Sequence, residues 1–348
     1  MNIDFSLLEG GYLRDLLDQP RVLERTLAGL QESERLTELA RDLDRGRFRR
    51  VVLTGMGASY HSFLPLYFSL NRRCVTTLLV ETSELIHSMP QAIDAGTLLI
   101  ILSQSGRSVE ALRLLEMRGG APVIAATNHA DAPLPQQADA VVLTRAGEEA
   151  SVSCKTFVAS VLALQWLRGV LCAEDRSRVA DELHQAAPAT EAYLKNWRHH
   201  VEELSSATQD MKDLFLVGRG DSLASVGTGG LILKESAHFH AEGMTCSAFR
   251  HGPFELTGPA TAVLIFAGDP RTRALNATLA ADVRKAGGRA FWIGPDSEID
   301  AFRIPAAPDA VRPILEILPV QLVSLALAAL AGHQPGDFKL LTKVTTIE

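Results

Sequence analysis

A short apolar run, a glycine-containing turn and a helical stretch follow one another twice in this chain, and this repeat limits the possible folds. The turns Gly55–Ser59 (GMGAS) and Gly218–Ser222 (GRGDS) lie 163 residues apart. At the same offset the apolar run Leu99–Leu102 falls on Ala262–Ile265. Apolar runs that alternate with helical patterns are typical of parallel α/β proteins. The shared register, without a gap, predicts a duplicated domain.

The same alternation predicts the elements of each half. Strands are expected in the first half at Arg50–Thr54, Val75–Val80, Leu98–Leu102, Val123–Ala126 and Ala140–Leu143, and in the second at Leu214–Val217, Ala262–Phe266 and Ala290–Ile293. Helices are expected near Tyr60–Leu70, Ser108–Met117, Lys155–Val170, Leu223–His240, Arg271–Lys285 and Ile314–Leu330. Each half is therefore predicted to be a parallel sheet between two helical layers, an α/β/α sandwich.

The length of 348 residues is more than one hydrophobic core usually serves, so two domains are expected. We predict an N-terminal helical segment, a first domain, a helical connector, a second domain and a C-terminal tail, with these bounds: residues 1–35, 36–175, 176–203, 204–332 and 333–348.

Composition argues against several classes of partner. A formal net charge of −7 offers no broad attraction to nucleic acid or to an anionic membrane. The four scattered cysteines form no C-x-x-C pair, which favours reduced thiols in a cytoplasmic protein. The first twenty residues show no secretory signal pattern. The apolar stretch Ile314–Ala331 is interrupted by Glu316, Pro319, Gln321 and Ser324, so a buried packing helix is expected there and not a membrane span.

The turn after the predicted strand Leu98–Leu102 has the features of an anion site. Ser103, Ser105 and Ser108 offer hydroxyl donors, and Gly106 permits a close approach of the backbone. The helix that follows presents free N–H groups and the positive end of its dipole. Serines at such turns also simply cap helices. However, the corresponding turn of the second half, Phe266–Pro270 (FAGDP), has no serine and carries an acid, which predicts one sugar-phosphate site per chain, in the first half.

Six motifs, in order along nearly the whole chain, resemble the isomerase domain of glucosamine-6-phosphate synthase, a double sugar-isomerase (SIS) protein. They are GASY at Gly57, LSQSG at Leu102, GRGD at Gly218, LKESAHFHAE at Leu233, FRHGP at Phe249 and KVTTIE at Lys343. Asp18–Pro20 (DQP) is similar to the segment that precedes that domain. The resemblance implies two tandem SIS domains, no cofactor, and an obligate homodimer in which a histidine serves the neighbouring subunit's site.

The resemblance also assigns roles. It implies that Glu235 moves the proton between C1 and C2 of a sugar 6-phosphate, that His251 opens the ring, and that Lys343 handles the open-chain carbonyl. The implied phosphate contacts are Ser59, Ser103, Gln104, Ser105 and Ser108, and the possible sugar contacts are Gly57, Ser153 and Glu242.

Each reactive residue also has an ordinary explanation. Glu235 fits an exposed helix carboxylate, His251 a turn residue, and Lys343 a solvated tail charge. A metal site formed by His238, His240, Glu242 and His251 is not expected, because His238 and His240 would point in different directions on a regular helix, and no H-E-x-x-H motif occurs.

Three departures from the synthase bear on the reaction. Asn2 follows the initiator methionine in place of the glutaminase cysteine, so no glutaminase domain is expected. Ile232 replaces a lysine of the amine-handling end. The segment Ser151–Phe157 is one residue shorter after Gly147, which leaves the role of Ser153 open.

The leading expectation is therefore glucosamine-6-phosphate deamination, which yields ammonia and fructose 6-phosphate. The alternatives are a fructosamine-6-phosphate deglycase, an aldose–ketose phosphosugar isomerase and an ammonia-using glucosamine-6-phosphate synthase. A non-catalytic sugar-phosphate sensor is the alternative of another class.

Overall fold

A computed structural model of the chain describes residues 3–340 and contains two parallel β-sheets. The first sheet has the order β2-β1-β3-β4-β5, and its strands are β1 Arg50–Gly55, β2 Thr77–Glu81, β3 Thr97–Leu102, β4 Val123–Thr127 and β5 Ala140–Leu143. The second sheet has the order β7-β6-β8-β9, and its strands are β6 Asp213–Gly218, β7 Ala241–Thr245, β8 Thr261–Phe266 and β9 Arg289–Ile293. All the strand pairs are parallel, as the sequence predicts.

Helices connect the strands. Those up to the end of the first sheet are α1 Gly11–Leu17, α2 Gln19–Gly29, α3 Glu34–Asp44, α4 Ala58–Ser62, α5 Leu64–Arg72, α6 Thr82–His87, α7 Val109–Glu116 and α8 Pro133–Gln137. Those that follow are α9 Lys155–Leu171, α10 Arg176–Leu183, α11 Ala186–Leu194, α12 Trp197–Thr208, α13 Leu223–Ala237, α14 Cys246–Arg250, α15 Pro270–Lys285 and α16 Arg312–Ala331.

The described residues divide into two compact units. The unit of the first sheet contains residues 21–148 and 155–184, and the unit of the second sheet contains residues 3–20, 149–154 and 185–340. Within the second unit, α1 packs on α16, where the Tyr12 hydroxyl lies 3.1 Å from that of Ser324. The domain bounds expected from the sequence remain predictions.

Each sheet lies between helical layers because its central strands are apolar on both faces. The six residues of β3 (TLLIIL) and of β8 (TAVLIF) are all buried, as is typical of parallel strands covered on both sides. One face of the first sheet packs with α3, α5 and α9, and the other with α6 and α7. In the second unit, α14 and α15 cover one face, while α13 packs on β6 and β7 and contacts α16.

Strand pairing shows how the two sheets correspond. Arg50 pairs with Thr97 across β1 and β3, and Asp213 pairs with Thr261 across β6 and β8. The offset of 163 residues therefore relates β1 to β6, but β3 corresponds to β8 at 164. The ungapped register expected from the sequence is wrong beyond the first strand pair, because one residue is inserted between these strands. Ser103, Gln104 and Ser105 consequently correspond to Ala267, Gly268 and Asp269.

The sequence misses β7, α6, α8 and α14 and misplaces two helix bounds. The helix expected at Tyr60–Leu70 is divided at Phe63, and Pro65 stands in the first turn of the second piece. The helix expected at Leu223–His240 ends at Ala237, because His238 adopts a left-handed conformation with φ 49°.

Helix α16 is, within residues 3–340, the single helix long and apolar enough to cross a membrane by length and composition. Of its most apolar window, 83% is buried against the protein. This burial is typical of a core helix, which agrees with the packing helix expected there.

Candidate functional site

The predicted phosphate residues line one pocket at the carboxyl edge of the first sheet. Its volume is about 150 Å³, and its wall includes Ser59, Ser103, Gln104, Ser105 and Ser108. These residues come from the turns after β1 and β3, and the carboxyl ends of parallel strands are where α/β sheets bind ligands. The structure therefore brings together all five.

Hydrogen bonds fix the shape of the turn after β3. The Ser103 hydroxyl lies 3.2 Å from that of Ser108 and accepts a bond from the Gly106 N–H at 3.2 Å. Gly106 has φ +62°, and a Cβ there would lie 2.7 Å from the Ala132 methyl group. Only glycine fits this conformation and this space. The turn thus presents hydroxyl groups to the pocket next to the N-terminus of α7, an arrangement suited to an anion.

Sequence reasoning missed two polar residues of this pocket, Thr82 and Glu110. Thr82 begins the unpredicted helix α6, and the hydroxyl of Thr54 lies 3.1 Å from its own. Glu110 stands in the first turn of α7 and is buried, and its Oε2 has no hydrogen-bond partner among the described residues. The signal that could have indicated Glu110 is its position two residues after Ser108 on an amphipathic helix.

The corresponding turn of the second sheet has the opposite electrostatic character. Asp269 caps α15 and accepts a hydrogen bond from the N–H of Arg271 at 2.8 Å. Hydrogen bonding to the Arg271 side chain lowers the pKa of Asp269 to about 2. This turn therefore presents a charged carboxylate where the turn after β3 presents hydroxyl groups.

Glu235 lines a different pocket, within the unit of the second sheet. This pocket has a volume of about 330 Å³, and Lys234, His238, Phe338 and Lys339 also line it. Glu235 is half-buried on the last turn of α13. Glu235 is therefore less exposed than an ordinary glutamate on the surface of a helix.

Two hydrogen bonds hold the segment after α16 against the end of α13. The Gly336 N–H donates to the Ser236 carbonyl at 3.1 Å, and the His333 Nε2 lies 3.0 Å from the Ala237 carbonyl. His333 also stacks on His238, with ring centroids 4.9 Å apart. These contacts explain why residues 338–340 lie beside Glu235.

The remaining predicted residues are placed elsewhere or lie outside the described part. His251 is exposed at the end of α14 and is not among the described residues that line the Glu235 pocket. Glu242 is exposed on the edge strand β7, 3.6 Å from His240. Ser153 is half-buried, and Gly57 precedes α4 with φ 53°. Lys343 lies outside residues 3–340.

Within the described residues, no cluster of histidine, cysteine and acidic side chains is arranged to hold a metal ion. His238 and His240 both lie beyond the end of α13, so they are not on the regular helix expected for them.

Comparison with known proteins shows what the chain is similar to. Residues 47–167 match the family model described as SIS domain. The chain is 29% identical over 358 residues to the glutamine--fructose-6-phosphate aminotransferase [isomerizing] of Pyrococcus horikoshii, an alignment that covers 98% of this chain and 59% of that protein. The chain thus spans about three fifths of the length of this relative.

Solved structures show the same fold over nearly the whole chain. The C-terminal domain of glucosamine-fructose-6-phosphate aminotransferase from Francisella tularensis matches with a TM-score of 0.82 at 20% identity, covering 94% of this chain and 98% of that one. Tagatose-6-phosphate ketose/aldose isomerase from Escherichia coli matches with a TM-score of 0.82 at 18% identity, covering 98% of this chain and 99% of that one. Glucosamine-6-phosphate deaminase from Thermotoga maritima matches with a TM-score of 0.78 at 17% identity, covering 97% of this chain and 100% of that one.

Proposed function

We propose, from the match of residues 47–167 to the family model described as SIS domain, that the protein is a phosphosugar enzyme that deaminates glucosamine 6-phosphate. The observation that carries the proposal is the convergence of five polar residues on one pocket beside the N-terminus of α7. That pocket suits the phosphate group of a hexose or aminohexose 6-phosphate. The two sheets of matching strand order support the further proposal that the chain contains two tandem SIS domains in a duplicated arrangement.

In the proposed reaction, His251 protonates the ring oxygen while the C1 hydroxyl loses its proton, which gives the open-chain aldehyde. Glu235 then removes the proton from C2 and returns it to C1, while O1 gains a proton and the amino nitrogen loses one, so that C1 becomes a CH2OH group and C2 an imine. Water adds to this imine and ammonia leaves, and the product is fructose 6-phosphate. Lys343 stabilises the charge that develops at the carbonyl end during the proton transfer.

We also propose that the protein acts as a cytoplasmic homodimer with shared sites. The exposure of His251 and its absence from the described lining of the Glu235 pocket support this arrangement. A histidine that faces outward from its own chain is available to a partner subunit. The test is mixing: inactive Glu235→Gln and His251→Ala chains should regain activity together once subunits have exchanged, and no recovery would place each site in one chain.

The decisive experiment measures ammonia release from glucosamine 6-phosphate beside a panel of fructosamine 6-phosphates. We expect release from glucosamine 6-phosphate, lost in Glu235→Gln and kept in Glu202→Gln, a matched control on the exposed side of α12. Release from the fructosamine substrates alone would show a deglycase instead. Conversion without ammonia would show an isomerase, and binding without turnover would show a sensor.

A further inference from the structure

A second cavity opens at the carboxyl edge of the second sheet. Its volume is about 170 Å³, close to the 150 Å³ of the phosphate pocket of the first sheet. Gly268 after β8, Gly294 after β9, and the loop before α16 with Ala306 form part of its wall. None of these residues has a part in the proposed reaction, so the cavity needs its own explanation.

Glu316, on α16, gives this cavity an unusual polar group. The side chain is 1% exposed and lines the cavity. Its Oε1 accepts a hydrogen bond from the Ser222 hydroxyl at 3.0 Å, whereas its Oε2 has no hydrogen-bond partner among the described residues. Buried polar atoms are nearly always hydrogen-bonded, so an Oε2 without a close partner on a cavity wall is available to a group that a ligand supplies.

Two arginines supply cationic groups to the cavity wall. Arg273 and Arg312 both line it; Arg312 is paired with Asp309, and Arg273 with Asp296. A guanidinium has five N–H donors, so one carboxylate leaves donors for a ligand. Burial raises the pKa of Glu316 to about 8, against the opposing effect of Arg312, so that carboxyl is mostly neutral at pH 7. Because Glu316 is mostly neutral, Asp309, whose side chain is 69% exposed, is the charged acid among the residues that line the cavity.

We propose that this cavity binds a small anion that carries a hydroxyl group. The anionic group lies on Arg273 and Arg312, and the hydroxyl completes the hydrogen bonding of Glu316. Phosphorylated polyols and hydroxy acids share this chemistry. The site lies in the unit of the second sheet and is independent of the proposed phosphate pocket, so it goes beyond the proposed function.

Calorimetric titration of the full chain tests the site with glycerol 3-phosphate and D-glycerate as probes. The background is Ser103→Ala with Ser105→Ala, which removes the proposed phosphate contacts of the first sheet. We expect one remaining site per chain for glycerol 3-phosphate, D-glycerate or both, and the preferred probe identifies the anionic group. Glycerol, which has no charge, should bind at least about tenfold more weakly, because charge-assisted hydrogen bonds are lost.

Two additional variants locate the remaining site. Arg273→Gln removes a cation, and Ala306→Phe fills the cavity from an exposed loop position without changing charge. Each should weaken the remaining binding by at least about tenfold, and unchanged melting temperatures show that the variants are folded. Loss of all binding in the serine background, or unchanged residual binding in both variants, would overturn the inference. If two binding sites persisted in the serine background, the proposed phosphate pocket would lose its support. Arg273→Gln would still test whether one of the two sites is the cavity of the second sheet.

Discussion

The turn after β3 and the turn after β8 follow corresponding strands, since the two sheets have matching strand order. Their side chains nevertheless differ in chemistry: the first turn offers hydroxyl groups and the second a carboxylate. The first presents Ser103 and Ser105 to a pocket, whereas the second presents Ala267 and Asp269. The preceding turns differ in the same way: Ser59 lines the phosphate pocket, while its counterpart Ser222 donates to the buried Glu316. One backbone plan therefore presents hydroxyl groups to the proposed phosphate pocket at one edge, and carboxyl groups on the turn and on α16 at the other.

The largest expected effect tests whether proton transfer belongs to the second sheet's unit. Glu235→Gln keeps the shape of the side chain but removes the base, so exchange of the C1 and C2 hydrogens should fall by roughly 10²–10⁴-fold while substrate affinity changes little. NMR of a sugar phosphate in deuterated water measures this exchange. Retained exchange would exclude the Glu235 carboxylate as the base.

A smaller effect comes from copying the second turn into the first. Ser105→Asp gives the phosphate pocket the acid that Asp269 provides at the corresponding place. The lost donor and the added negative charge should raise KM for glucosamine 6-phosphate by at least about a hundredfold, or about 2.7 kcal/mol. Ser105→Asn, which adds bulk without charge, should raise KM by much less. Equal effects of the two variants would mean that charge is not what separates the turns.

The sequence predicts the central strands well because they are apolar on both faces and need no partner to be identified. It misses β7 because Ala241–Thr245 (AEGMT) is an edge strand with mostly exposed side chains, whose pattern resembles the end of a helix. The polar turn after β3 could be predicted because its residues are contiguous. The cavity at Glu316 could not, since its contact with Ser222 joins residues 94 positions apart, and an acid in an apolar helix indicates only an interruption.

The buried acid of the second edge predicts a pH effect on stability. Burial raises the pKa of Glu316 from 4.5 in the unfolded chain to about 8 in the folded protein. Its contribution to stability is fully present below pH 4.5 and is lost as pH rises to 8, at about 1.4 kcal/mol per pH unit. Glu316→Gln lacks this loss, so its free energy of unfolding relative to the parent should increase with pH across this window.

Urea denaturation at pH 5, 6.5 and 8 measures that difference, which should reach a few kcal/mol at the highest pH. Glu34→Gln, on the exposed start of α3, is the matched control and should show no such trend. A difference that stays constant with pH would mean that Glu316 is ionised in the folded protein, like the carboxylate of Asp269.

The smallest expected effect concerns residues 338–340, which lie beside Glu235. Gly336 has φ +77°, and a Cβ there would lie 2.7 Å from the Ser151 hydroxyl and 2.9 Å from the Tyr12 Cβ. Gly336→Ala should therefore displace residues 338–340 from the Glu235 pocket and lower kcat by about tenfold, since misplacement near reacting groups raises the barrier. Phosphate binding at the first sheet should not change.

Gly332 offers a control that separates backbone strain from displacement. It has φ +71°, and a Cβ there would meet nothing within 4 Å. Gly332→Ala should thus cost about 1 kcal/mol of stability, as alanine does in a left-handed conformation, and leave kcat near the parent value. Thermal melts and steady-state rates on both variants give the comparison. If Gly332→Ala lowered kcat as much as Gly336→Ala, strain at the end of α16 would explain the loss. The hydrogen bond from Gly336 to Ser236 would then have no special part in placing the segment beside Glu235.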